Sequence, residues 1–179
     1  VGVEIIDIKK KHPDFQVFRW LISALSKCSG EKRYHVIHLY IENNFLICTD
    51  GKRIHTFKSK DGGYVNGYYS VILDSPDHIF LKRNENIDRD YPPIEKILTP
   101  ADVEPFLVWA DYDFECSNVF AYILRKFENN HLHYGFLWDL LRFGFYFDCY
   151  VGKERDPVVF VKNGLKAAIM PMAPPKIKE

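Results

Sequence analysis

The sequence predicts an α+β protein built from antiparallel sheets with helices packed on one face. Three observations carry that reading. Short runs of β-prone residues bounded by Asn, Asp and Gly turns dominate the chain. A few segments instead repeat apolar residues every three and four positions, the helical period. The order strand, helix, three strands also occurs at the start of the chain and again at its end, which predicts repeated units.

Taken in order, Glu4–Ile8 reads as a first strand, and Lys9-Lys10-Lys11-His12 as a solvated basic loop. Pro13-Asp14 opens a helix, with Asp14 as its N-cap and Gly30 as its stop. Phe15, Phe18, Leu21, Ile22, Leu25 and Cys28 form its buried stripe, leaving Arg19, Ser23, Ser26 and Lys27 outward. His35–Glu42 alternates Val36, His38 and Tyr40 with Ile37, Leu39 and Ile41, predicting a strand covered on both faces. Asn43-Asn44 makes a tight hairpin turn into Phe45–Thr49, and Asp50-Gly51 turns again into Arg53–Lys58. Tyr68–Leu73 and His78–Arg83 form another hairpin around residues 74–77. No helix is expected between Lys58 and Tyr91.

Tyr91–Pro100, with prolines near both ends, is the natural seam, extended or wound into one helical turn. It separates a module at 1–99 from a second at 100–179. In the second module Phe106–Ala110 reads as a strand and Ser117–Phe127 as a helix. His131–Phe136 is expected to be a strand leading into a short helix with Leu137, Leu140 and Leu141 on one side. Phe145–Val151, Val158–Lys162 and Leu165–Met170 complete a meander that turns at Gly152–Asp156 and Asn163-Gly164. Pro171 has no amide hydrogen and ends the last strand, leaving Met170 and Met172 around a rigid corner. Methionine side chains are flexible and polarisable and suit surfaces that accept apolar partners. An ordinary strand with a Pro-broken tail is the plainer reading of those residues.

Composition narrows the function. With 179 residues, 16% of them aromatic and 27% charged, the chain can bury a full core and is not a disordered one. The formal net charge of zero argues against a strongly basic nucleic-acid binder. The charge is uneven, however, with 11 basic against 6 acidic residues in positions 1–60. No apolar run approaches the roughly 20 residues that span a bilayer, and Val1-Gly2-Val3-Glu4, without a basic start or an apolar middle, is not expected to be a signal peptide. Cys28, Cys48, Cys116 and Cys149 are widely spaced, as reduced thiols of a cytoplasmic protein would be.

No P-loop, nucleophile elbow, zincin or dinucleotide fingerprint occurs, so no enzyme and no cofactor are expected. Asp111, Asp113 and Glu115 would share one face of a strand and could hold a divalent ion, which leaves a small metal-dependent hydrolase or nuclease as an alternative. A solvated edge is the plainer account of them. His131 and His133 have the same spacing but lack further ligands, and the remaining histidines sit singly.

Four separated segments are similar to one family in the correct order. Thr49-Asp50-Gly51-Lys52-Arg53-Ile54 resembles the T-D-G-H-R-L segment of bacterial sliding clamps, the beta subunits of DNA polymerase III. Tyr91–Pro100 resembles their F-P-D-Y-R-R-V-L-P interdomain segment, and Tyr134-Gly135-Phe136 with Leu137–Leu141 their I-G-F-N strand and the helix after it. Ile169-Met170-Pro171-Met172 matches their V-M-P-M. The resemblance implies a shortened relative, such as a phage or mobile element would encode. It implies a groove for linear peptides of a DNA polymerase or another replication or repair protein, formed by Thr49, Gly51, Lys52, Arg53, Ile54, Pro92, Ile169, Met170, Pro171 and Met172. It also implies a homo-oligomer around duplex DNA, held without base reading by Arg19, Lys27, Arg125, Lys126 and Arg142. Turn and strand-end residues packing on each other are the alternative for the groove, and solvating charges for the cations. An interaction module with this fold but neither ring nor DNA is the alternative function.

Overall fold

The computed structural model describes residues 5–27, 31–60, 63–109, 132–153 and 155–172. Its backbone divides into two compact units, Val1–Pro93 and Ile94–Glu179. The expected helix at Ser117–Phe127, the Gly30 stop, Cys28, Cys116, His131 and the Asp111, Asp113 and Glu115 trio lie outside the described residues.

In the first unit the strands are β1 (Ile5–Lys9), β2 (Leu39–Glu42), β3 (Phe45–Thr49), β4 (Arg53–Lys58), β5 (Gly67–Asp74) and β6 (His78–Arg83). They lie in the order β1-β6-β5-β2-β3-β4, every neighbouring pair antiparallel. The Asn43-Asn44 turn forms as expected, with φ of 49° and 64°. Such angles favour Asn, whose short side chain tolerates the left-handed region. Among the described residues no helix falls between Lys58 and Tyr91.

The register sorts the side chains onto two faces. Cys48 stands opposite His55, and Thr49 opposite Ile54. Helix α1 (Phe15–Ile22) covers the His55 face. The Trp20 ring stacks on the His55 imidazole at 4.3 Å and 11°, and His55 Nδ1–H donates to the Trp20 carbonyl at 2.8 Å. Phe15, Phe18, Trp20 and Leu21 are fully buried, each side chain stabilising by about 1.5–3 kcal/mol over its exposed state. On the other face Tyr40 pairs with Ile47 and Tyr68. Tyr91 stacks on Tyr40 at 5.0 Å and 16°, and Tyr34 meets Tyr68 edge-on at 5.2 Å. Among the described residues the buried Tyr68 hydroxyl meets no hydrogen-bond partner there.

Two expectations in this unit are corrected. Helix α1 stops at Ile22 rather than running to Gly30. Ser23 Oγ donates to the Trp20 carbonyl at 2.7 Å, and the Ser23 carbonyl accepts from Arg53 Nη2 at 2.7 Å. Ala24 and Leu25 then donate to the carbonyls three residues back, tightening the last turn. Ser23 is therefore buried and not outward, and Asp14 makes no side-chain cap bond. The second correction is at His35–Glu42, where a one-turn helix α2 (Tyr34–Ile37) precedes a shorter β2. The Glu31 carboxylate accepts from the Arg33 backbone N–H, Nε and Nη2 at 2.9, 3.0 and 2.8 Å, curling the chain just before the helix. Those bonds hold the Glu31 carboxyl at about 2, well below the usual carboxylate range.

The second unit holds β7 (Phe106–Trp109), α3 (Tyr134–Leu141), β8 (Tyr146–Tyr150), β9 (Val158–Lys162) and β10 (Leu165–Ile169). Its strands run in the order β10-β9-β8-β7, again antiparallel. The aligned set Cys149, Phe160 and Ala167 is fully buried, as are Phe147 and Ile169 on the same face. Tyr134-Gly135-Phe136 is the first turn of α3, which corrects the expected strand. His133 Nδ1 accepts the Gly135 N–H at 3.1 Å, and this cap starts the helix. Leu137, Leu140 and Leu141 are buried, as their spacing predicts. Of the two forms expected for the seam, residues 91–93 carry no regular structure and Ile94–Leu98 makes one hydrogen-bonded turn, closed by Leu98 N–H to the Ile94 carbonyl at 3.1 Å. Cys48 and Cys149 are both buried, and burial pushes both thiols up.

Burial also lowers the His55 pKa to about 3 from its ordinary 6.5. The unfolded chain therefore binds the extra proton throughout that window. Stability is fully present above about pH 6.5 and falls as pH drops toward 3, by at most about 1.4 kcal/mol per pH unit for this group. Burial lowers His35 and His38 in the same sense. Urea unfolding midpoints measured between pH 7 and pH 5 should fall with acidification, with a visibly flatter slope in His55→Gln.

Candidate functional site

The segment Thr49–Ile54 is a wound turn with most of its polar groups satisfied internally. The Thr49 hydroxyl bonds the Arg53 carbonyl and accepts the Gly51 N–H at 3.0 Å. Asp50 Oδ1 accepts the backbone N–H groups of Lys52 and Arg53 at 2.9 and 3.0 Å. Gly51 sits at φ +86°, a left-handed conformation that glycine adopts at no steric cost. A Cβ added there would stand 3.3 Å from Arg33 Nη1, so the Arg33 head lies against the turn.

Arg53 is 7% exposed and faces inward. Its Nε donates to Asp50 Oδ2 at 3.1 Å while Nη2 reaches Ser23. The guanidinium thus ties the turn to the end of α1. The exposed groups of the turn are Gly51 and Lys52, with Arg33 beside it, whose side chain is 57% exposed. Sequence reading missed Asp50, Ser23 and Arg33. For Asp50 a signal existed, because Asp and Arg three residues apart across a Gly turn can pair locally.

Strand periodicity places Thr49 and Ile54 on the Tyr40 face, the face on which Tyr91 stacks. Both are buried, at 9% and 4%, whereas Pro92, next to Tyr91, is exposed. The first unit therefore brings Thr49, Ile54 and the Tyr91-Pro92 segment to one face. In the second unit, Ile169 lies with Phe160 and Ala167 in the buried set. Met170, Pro171 and Met172 follow it, and the two methionines are 38% and 45% exposed. Exposed thioethers beside a proline form an apolar surface patch in that unit.

The cations expected to face phosphates are only partly available. Arg19 Nε lies 3.8 Å from Asp74 Oδ1. Arg142 Nη2 pairs with Asp139 at 3.0 Å, and its guanidinium stands 4.7 Å over the Phe143 ring. Lys27 is exposed, and Arg125 and Lys126 lie outside the described residues. Among the described residues no group of three His, Cys, Asp or Glu side chains is arranged to hold a metal ion. No helix among them is long and apolar enough to cross a membrane.

No protein-family model matches the chain, and no curated protein matches it. Solved structures do match. The DNA polymerase sliding clamp from Bacillus subtilis superposes with a TM-score of 0.60 at 12% identity, covering 97% of this chain and 66% of that one. The fold is that of the bacterial sliding clamps. DNA polymerase III subunit beta from Borrelia burgdorferi gives a TM-score of 0.60 at 11% identity, over 95% of this chain and 64% of that one. The Helicobacter pylori beta clamp, bound to a DNA ligase peptide, gives 0.57 at 12%, over 97% and 66%. The chain thus spans about two thirds of the length of these clamps.

The internal role of Arg53 has a measurable consequence. Removing one partner from a buried, hydrogen-bonded pair typically costs 3–5 kcal/mol, because the other charge is left uncompensated. Arg53→Met should lower unfolding free energy by about 3 kcal/mol in urea titrations, and Lys52→Met by less than about 0.5 kcal/mol.

Proposed function

We propose that this clamp-fold protein is non-catalytic and holds a short linear peptide of a replication or repair protein, tethering that partner to duplex DNA. The observation that carries the reading is the match of nearly the whole chain to sliding clamps, one of them captured with a DNA ligase peptide. The peptide-contacting residues proposed here are Thr49, Gly51, Lys52, Ile54 and Pro92 in the first unit and, taken by itself, the Met170, Pro171 and Met172 corner in the second. Arg53 serves the first set by fixing the turn, and Ile169 serves the second by anchoring the methionine corner in its own core. The exposed methionines would repack around Leu or Phe anchors of the peptide, which in such pockets carry most of the affinity. Lys52 and Arg33 at the rim would favour peptides with an acidic flank.

A second reading, an interaction module that binds no DNA, draws support from Arg19 and Arg142, whose heads lie beside carboxylates of the same chain. Titration of a fluorescent clamp-binding peptide tests the groove. The double variant Met170→Ala, Met172→Ala should weaken it at least tenfold, about 1.4 kcal/mol, with an unchanged melting temperature. Unchanged affinity would remove the methionine corner from the site.

A further inference from the structure

The Asn163-Gly164 turn carries a chemistry that the binding surfaces do not use. A main-chain nitrogen can attack the side-chain carbonyl carbon of the residue before it and close a five-membered ring, a reaction governed by proximity rather than by an enzyme. Glycine is the attacking residue that hinders it least, having no side chain. Among the described asparagines, Asn43, Asn44, Asn84 and Asn86 precede Asn, Phe, Glu and Ile, whereas Asn66 and Asn163 precede glycine. Asp50 stands before a glycine as well.

The structure separates these three positions. Asp50 is locked, because Oδ1 accepts the Lys52 and Arg53 N–H groups at 2.9 and 3.0 Å and Oδ2 pairs with Arg53 Nε at 3.1 Å. A charge-paired carboxylate is a poor target for a nucleophile. Asn66 is pinned: its Oδ1 accepts the Asn43 N–H at 2.9 Å, and Gly67 pairs with Ile41 in the ladder. The Arg83 guanidinium also lies against Gly67, 2.9 Å from where a Cβ would stand. Asn163 and Gly164 are both exposed, and among the described residues no hydrogen bond holds the Asn163 amide. They form the turn between Lys162 and Leu165, which pair across it, and Gly164 stands at φ +84°.

We propose that Asn163 is a site of spontaneous deamidation and that its conversion loosens β10. The Gly164 nitrogen gives up its proton to hydroxide and bonds to Asn163 Cγ, and the side-chain nitrogen leaves as ammonia. Water then opens the cyclic imide at either carbonyl, leaving aspartate or an isoaspartate whose main chain runs through the former side chain. No electrons are transferred, and water and hydroxide are the only co-reactants. Isoaspartate lengthens the main chain of a tight turn by a carbon. Turn geometry fixes hairpin register, and the register here buries Leu165, Ala167 and Ile169. The new carboxylate also lies next in sequence to Lys162, whose ammonium stands 3.6 Å over the Tyr146 ring.

Ageing the full chain in mildly alkaline buffer, followed by proteolysis and peptide mass mapping, tests this. Folded protein should convert at Asn163 at a rate roughly tenfold that at Asn66, a difference of about 1.4 kcal/mol in barrier. In concentrated urea, where neither the Asn43 contact nor the ladder persists, the two rates should be alike. The isoaspartate-containing fraction should unfold at a lower urea concentration than Asn163→Gln protein aged alongside it. Glutamine serves as the control because its longer side chain closes a less favourable six-membered ring. Equal rates at Asn66 and Asn163 in the folded protein, or no conversion at Asn163 while the urea-unfolded chain converts, would overturn the proposal. So would a converted protein with an unchanged unfolding midpoint.

Discussion

The first unit depends on one buried guanidinium. Arg53 has the Asp50 carboxylate on one edge and the Ser23 carbonyl on another, and so fastens a β-turn to the end of a helix 30 residues earlier. A buried charge is costly unless it is paired and hydrogen-bonded. That penalty makes the arrangement close to obligatory, because any rearrangement of the turn or the helix end would strand the charge. Three features follow: α1 ends early, the turn adopts one shape, and Thr49 and Ile54 are aimed at the sheet face opposite the helix.

On that opposite face the organising groups are aromatic. Tyr91 stacks on Tyr40 and Tyr68, Tyr40 and Tyr68 pack at a tilt, and Tyr34 meets Tyr68 edge-on. Ring pairs of this kind contribute about 0.5–1.5 kcal/mol beyond their burial and fix orientation as well as distance. The chain thus reaches Pro92 from a defined starting point. The two sheet faces are held by different physics, an ionic strut with a stacked Trp20–His55 pair on one and tyrosine stacking on the other.

The parts of the fold legible in the sequence are those set by local chemistry. Asn43-Asn44, Asp50-Gly51 and Asn163-Gly164 mark turns because positive φ is required there, and few residue types accept it. The hairpin strands follow from those turns. What escaped the sequence depends on partners far along the chain. Nothing near Ser23 announces that Arg53 will take its carbonyl, so the helix reads as longer than it is. His35–Glu42 is apolar on both phases of the strand period, and such a run does not distinguish a strand from a turn of helix. The Glu31–Arg33 fork, which decides the matter, lies just before it. In the candidate site the exposed methionines were legible because proline must end the strand. The inward role of Arg53 was not, since a lone arginine in a turn carries no sign of its burial.

The Tyr68 hydroxyl has a further consequence. A buried hydroxyl that meets no hydrogen-bond partner among the described residues carries a desolvation penalty of about 1–3 kcal/mol. Its deletion in Tyr68→Phe keeps the ring and its stacking while releasing that penalty. The tyrosine cluster thus holds an unspent margin of thermal robustness, one atom away.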